Sequence, residues 1–209
     1  MKRYFLLIAS VSFILGCQPK PSFDKEKLTV ELDSILEIDQ RYRKELLAIE
    51  ETGGRNSPKA KEVIKKIWQA DSSNVRRIVE IIDMVGGYPG ESMVGGSAGR
   101  ATFYVLQHAP DSIQDKYYDL IIDAASRNEL KKSLAAMYQD RYLMHRGEPQ
   151  IYGTQVRTEY KTDPTTGMRF DSTYVWPLAD TTNIDSIRTL SGMGPLEEYL
   201  NQFGVSRWE

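Results

Sequence analysis

Gly147-Glu148-Pro149-Gln150-Ile151-Tyr152-Gly153-Thr154-Gln155 separates a helical stretch of this chain from an extended one. From Tyr152 onward Tyr152, Thr154, Val156, Thr158 and Tyr160 alternate with Gly153, Gln155, Arg157, Glu159 and Lys161, the period of a strand with one polar face. Asp163-Pro164-Thr165-Thr166-Gly167 has turn composition, and Met168 to Trp176 reads as the returning strand. A β-hairpin over about 150–176 is therefore expected. Its Tyr160, Phe170, Tyr174 and Trp176 could face a partner, but aromatics at strand spacing are more often packed against helices. Short helices are expected near Asn183–Leu190 and from Leu196, with Leu196, Tyr199, Leu200 and Phe203 inward.

Upstream, the periodicity is helical. Leu28, Leu32, Ile35, Tyr42 and Leu46 fall on one face of a helix from Asp24 to about Glu51, which ends at Thr52-Gly53-Gly54. Asp39 lies on that apolar stripe, with Arg43 one turn further on. Ser57-Pro58 is a helix start, a capping side chain followed by proline where no N–H is needed. The stripe Ala60, Ile64, Ile67, Val75, Ile78, Ile82 and Val85 is interrupted by Asp71 and Asn74. Asp71 is equally readable as the cap of a separate helix from Ser72. After the turn Gly86-Gly87-Tyr88-Pro89-Gly90, a glycine-rich run leads into a helix that stops at Pro110 and carries Ala98, Ala101, Thr102, Val105 and His108 on one face. Gly95 to Gly99 lacks the lysine–serine pair and the preceding strand of a phosphate loop. Further helices are expected from Asp111, burying Ile113, Tyr117, Leu120, Ile121 and Ala124, and from Asn128 as cap, burying Leu134, Met137 and Tyr138. The short connections imply antiparallel neighbours. The expected fold class is mainly α (α+β): an antiparallel helical bundle with a C-terminal β-hairpin packed against it.

At the amino terminus, Lys2 and Arg3 precede an apolar run from Tyr4 to Leu15 and then Gly16-Cys17. The run is short for a permanent membrane span and has the layout of a secretory signal. The glycine before the only cysteine resembles the lipobox of bacterial lipoproteins, which implies cleavage after residue 16 and acyl chains, palmitate among them, on Cys17. Residues 1–16 are expected to be a signal peptide, 17–23 the lipidated cysteine and a polar, proline-rich tether, and 24–209 a single domain of roughly 185 residues. Gln18 in place of aspartate implies, by the same resemblance, anchoring at the outer membrane facing the periplasm. Removing residues 1–16 lowers the Lys plus Arg count from 27 to 25 against 29 acids, and such an acidic domain without a basic block offers nucleic acid no electrostatic grip.

Asp39-Gln40-x-x-Arg43, Asp71-x-x-Asn74, Gly87-Tyr88-Pro89, Gln107-His108-Ala109, Gln114, Asp140-Arg141 and Gln150-x-Tyr152-Gly153-Thr154-Gln155 occur in that order. The series resembles an uncharacterised bacterial family, the domain of unknown function 6624, over about Leu28 to Phe203. Tyr88 stands where that family usually has tryptophan, and Pro110 where an acidic residue commonly follows the alanine. The family carries no established activity, so the resemblance implies an architecture and leaves the chemistry open.

Two carboxylates, two guanidiniums, an imidazole and several carboxamides thus sit on or beside apolar helix faces. One reading is a structural network in which each buried charge has a partner. The other is a pocket around His108 and Arg141, roofed by residues 150–155. Its ligand-binding candidates are Asp39, Gln40, Arg43, Asp71, Asn74, Gln107, Gln114, Asp140, Arg141, Gln150, Tyr152, Thr154 and Gln155. Recognition of a small polar or anionic ligand is the favoured expectation, since arginines and carboxamides outnumber acid–base groups. The alternatives are an enzyme with His108 as general acid or base and Arg141 or Arg43 on an anionic substrate, and an envelope module for protein partners. Nothing implies a cofactor, and the two histidines, His108 and His145, lack the paired spacing of a metal site.

Overall fold

The computed structural model describes residues 23–205, so the expected signal peptide, Cys17 and most of the tether lie outside the described residues. The described residues open with a long helical hairpin of α1 (Lys25–Gly53) and α2 (Pro58–Val85). Asp24 caps α1 by accepting from the Lys27 N–H at 3.1 Å, and Ser57 caps α2 by accepting from the Ala60 N–H at 3.2 Å. α2 runs unbroken through Asp71, so of the two readings of Asp71 the cap of a separate helix from Ser72 does not hold; its carboxylate instead accepts from Arg43 of α1.

The seam between α1 and α2 has two apolar stretches. Leu28, Leu32 and Ile35 join Ile78, Ile81 and Ile82 in the main core, whereas Leu46 and Ile49 pack with Ala60, Val63 and Ile67 at the far end. Between them the facing positions are Asp39, Arg43, Asp71 and Asn74. A polar layer therefore crosses the helical hairpin about midway.

The main core is completed by α3 (Glu91–Val94), a 3-10 turn (Ala98–Arg100), α4 (Ala101–Gln107), α5 (Asp111–Ser126) and α6 (Lys132–His145). Phe103, Leu106, Ile121 and Tyr138 are fully enclosed there, and the buried Tyr88 hydroxyl donates to the Gly99 carbonyl at 2.7 Å. Asn128 does not cap α6, which starts at Lys132. It adopts φ 60° just after α5, where the Glu129 N–H reaches back to the Ala124 carbonyl, a helix-ending geometry that asparagine tolerates.

After α6 come β1 (Val156–Thr162) and β2 (Arg169–Val175), antiparallel with Val156 opposite Val175, then α7 (Ile184–Leu190) and α8 (Leu196–Asn201). The fold is mainly α with this small hairpin. The hairpin's base joins the helices: Val156, Val175 and Leu178 pack on a small core of Ile184, Leu196, Leu200 and Val205. Its distal part projects, with Tyr160 65% and Phe170 49% exposed, so the expectation that its aromatics are buried against helices fails for these two. β1 also begins four residues later than the alternation suggested, because the backbone of 151–154 is engaged elsewhere.

Candidate functional site

Asp140 is completely buried on α6 and organises the segment that follows it. Its carboxylate accepts from the backbone N–H groups of Ile151 (2.8 Å), Tyr152 (3.0 Å) and Thr154 (2.9 Å) and from the Thr154 hydroxyl (2.8 Å). Those N–H groups are thereby unavailable to a strand ladder. Burial pushes the Asp140 carboxyl up from its usual range, and the four donors pull against that shift. Gln150 closes the same loop: its Oε1 accepts from the Gln155 N–H, and its Nε2 donates to the carbonyls of Gln155 and Trp176. Gly153 is held at φ 72°, and a Cβ there would lie 2.6 Å from a Leu196 methyl, so the turn requires glycine. Two residues absent from the expected site lock the loop from outside. Arg188, 2% exposed, donates to the carbonyls of Tyr152 and Gly194, and the Tyr199 hydroxyl donates to the Thr154 carbonyl. Arg188 lies four residues after the buried Ile184, a spacing that marks it as inward-facing.

Residues 107–110 are fixed in a comparable way. The buried Gln114 donates to the Ala109 carbonyl at 2.8 Å, which holds the end of α4 where His108 sits. The polar atoms of Asp140, Gln150 and Gln114 that were expected to meet a ligand thus hold backbone, and position the groups beside them.

The groups so positioned meet the polar layer of α1 and α2. Arg43 donates to Asp39 at 3.1 and 3.3 Å and to Asp71 at 2.6 Å, while Gln40 donates to Asp39 at 2.7 Å. Burial works against the Arg43 charge, yet the hydrogen bonds and charges of Asp39 and Asp71 outweigh it and hold the guanidinium above its ordinary value. One cation is shared by two carboxylates. Asp71 accordingly sits above the usual carboxylate range, because burial and the nearby Asp39 charge together exceed the help it receives from Arg43.

Arg141 has no such partner. Its Nη1 lies 3.2 Å from His108 Nδ1, and among the described residues no carboxylate pairs with it. Burial and the charge of Arg43 push the guanidinium below its ordinary value. Since arginine only donates, His108 Nδ1 is the acceptor and the ring proton resides on Nε2. Burial, then Arg43 and Arg141, push the imidazole down to about 3, so His108 is neutral at physiological pH. Three buried side-chain atoms of this neighbourhood have no protein partner among the described residues: Asn74 Nδ2, Gln107 Oε1 and Arg141 Nε.

The two members of the His108–Arg141 pair line different clefts. Arg141 and Gln155 line a cleft of about 1270 Å³ together with Arg55, Ser57, Arg157 and Tyr160. His108 and Asp71 line another, of about 550 Å³, whose remaining walls include Trp68, Val75, Pro110 and Ile113. Of the expected site residues, the fold gathers Asp39, Gln40, Arg43 and Asp71 into one hydrogen-bonded group and His108 with Arg141 into a neighbouring pair on which the Arg43 charge acts, with Gln155 on the same cleft as Arg141. Tyr152 faces elsewhere, its hydroxyl 3.4 Å from Gln139 on the side of a third, smaller cleft. His145 pairs with Asp111 at 2.8 Å, away from the network.

No curated protein and no solved structure matches the chain. The model of a family of unknown function, DUF6624, matches residues 26–205, which includes every residue of this site. The chain belongs to that family.

Proposed function

We propose that this protein recognises a small anionic ligand, a carboxylate or phosphate, through Arg141 in the larger cleft. The observation that carries the reading is the uncompensated guanidinium. Arg43, whose charge reaches Arg141, is shared by two carboxylates, whereas Arg141 itself has no carboxylate partner among the described residues and is surrounded by a neutral imidazole, the Tyr199 phenol and the like charge of Arg43. Retaining a partly buried cation in that state destabilises the empty fold, and an anion would relieve it with directional, charge-assisted hydrogen bonds. Arg157, which lines the same cleft, adds positive charge that favours an anion there. The catalytic alternative has weaker support, because an imidazole held at about 3 is a poor base near neutrality. The test is a thermal-shift series in which inorganic phosphate and acetate are titrated into wild type and Arg141→Met. The reading requires anion-dependent stabilisation of the wild type that the variant lacks; equal responses refute it.

We further propose that this domain is held at the cell envelope, at the outer membrane facing the periplasm, by lipid on Cys17. The support is the run Ile14-Leu15-Gly16-Cys17 behind a basic, apolar leader. No described helix is long and apolar enough to cross a membrane. Metabolic labelling with a palmitate analogue should mark the wild type in a bacterial host and leave Cys17→Ser unmarked.

A further inference from the structure

The smaller cleft differs in chemistry from the larger one and shares no lining residue with it; His108 of the one contacts Arg141 of the other. Its walls are mostly apolar: Trp68 and Val75 from α2, Ala109 and Pro110 from the turn after α4, and Ile113 from α5, with Ser72 of α2 between them. Trp68 is 69% exposed, a large aromatic face left open on the lip of a concave surface. At the polar end stand two groups of opposite hydrogen-bonding sense. His108 turns Nδ1 toward Arg141, so its remaining ring nitrogen, Nε2, carries a proton and has no protein partner among the described residues. Asp71 gives Oδ1 to Arg43, while its other oxygen has no protein partner among the described residues. Both residues are fixed, His108 by the Gln114 clamp on Ala109 and Asp71 by Arg43.

A donor beside an acceptor at the end of an apolar cleft complements a group that presents an acceptor beside a donor. An amide does so, its carbonyl taking the imidazole N–H and its N–H donating to the carboxylate. A second full negative charge is disfavoured next to Asp71, and a free cation is disfavoured because Arg43 and Arg141 already act on this end. We propose that this cleft is a second binding site, which takes the amide of an uncharged molecule with an aromatic or aliphatic body. The body lies between Trp68 and Ile113, and the amide spans His108 and Asp71. The site does not depend on anion recognition at Arg141.

The probes are benzamide, as a free carboxamide, and N-acetyl-phenylalaninamide, as a peptide backbone bearing an apolar side chain. Each is titrated into the purified protein while the His108 imidazole and Trp68 indole signals are followed by NMR. Saturable shifts at both residues are expected for at least one probe, and the tighter of the two identifies the source of the amide. Trp68→Ala, at an exposed position, should weaken binding roughly tenfold through loss of the aromatic wall while phosphate binding stays unchanged. N,N-dimethylbenzamide, which lacks the N–H for Asp71, should bind several-fold more weakly than benzamide if the free amide is the source. For a peptide source, Asp71→Asn should produce the corresponding loss with N-acetyl-phenylalaninamide. No saturable shift with either probe overturns the proposal, as does equal binding by wild type and Trp68→Ala. Phosphate binding, measured on the same samples, reports separately on Arg141.

Discussion

Replacing Arg141 by methionine removes a partly buried positive charge while keeping an unbranched stem of similar reach. In the wild type the guanidinium is desolvated, is repelled by Arg43 and makes one hydrogen bond, at 3.2 Å, to a neutral imidazole. Losing that bond and leaving His108 Nδ1 without a donor costs about 1–2 kcal/mol. Exchanging a buried ion for an apolar side chain of similar volume stabilises by up to about 4 kcal/mol, and the open cleft beside Arg141 moderates this. The difference favours the variant by about 1–2 kcal/mol in anion-free buffer. For a domain of this size each kcal/mol moves the midpoint by about 2–4 °C, so the melting temperature should rise by about 2–8 °C. Urea denaturation in a buffer without phosphate or carboxylate gives the free energy, and calorimetry gives the midpoint. A loss of about 2 kcal/mol or more would refute the reasoning, since it would make Arg141 a structural residue whose charge the fold already satisfies.

The loop clamps should behave in the opposite way. Asp140→Asn places an N–H₂ group among three backbone N–H donors and should cost about 2–4 kcal/mol by denaturant unfolding. Arg188→Met removes the donors to the Tyr152 and Gly194 carbonyls and should cost about 2–3 kcal/mol, with amide exchange accelerating across 150–155. His108 also predicts a pH dependence. Its folded value is depressed to about 3 from 6.5, so its contribution is full above 6.5. Below that the unfolded chain takes up a proton that the native one refuses, and stability declines until pH falls through about 3. The loss is a few kcal/mol, no more than about 5. Asp71 and Asp140, raised by burial, act in the reverse direction, so the relevant quantity is wild type minus His108→Gln across pH 3–7. A flat difference would contradict the buried, neutral imidazole.

The helical part of the fold was legible because its signals are local. Ser57-Pro58 starts a helix wherever it occurs before a periodic run, and Leu28, Leu32 and Ile35 recur at helical spacing. The polar layer was legible for the same reason: Asp39 and Asp71 stand on apolar stripes where a solvated residue would not. What spacing could not convey is which partner each polar group finds. Asp71 looked equally like a cap, and only the approach of α1 makes it a partner of Arg43. Tyr152 and Thr154 alternate like strand residues, but Asp140, twelve and fourteen positions earlier, captures their N–H groups and delays the strand. Arg188 escaped notice because an arginine on a short helix reads as solvated, although Ile184 one turn before it is completely buried.

The central claim is that Arg141 is a cation kept for an anion, and its Nε–H is the most direct reporter. That group is buried and has no protein partner among the described residues, so it should give a resolved side-chain resonance in ¹⁵N NMR. Titrating inorganic phosphate should move this resonance saturably, in step with the rise in melting temperature, while the Arg188 Nε–H, bonded to the Gly194 carbonyl, stays in place. An Arg141 resonance that does not respond to phosphate or acetate, or that moves no more than that of Arg188, would contradict the account.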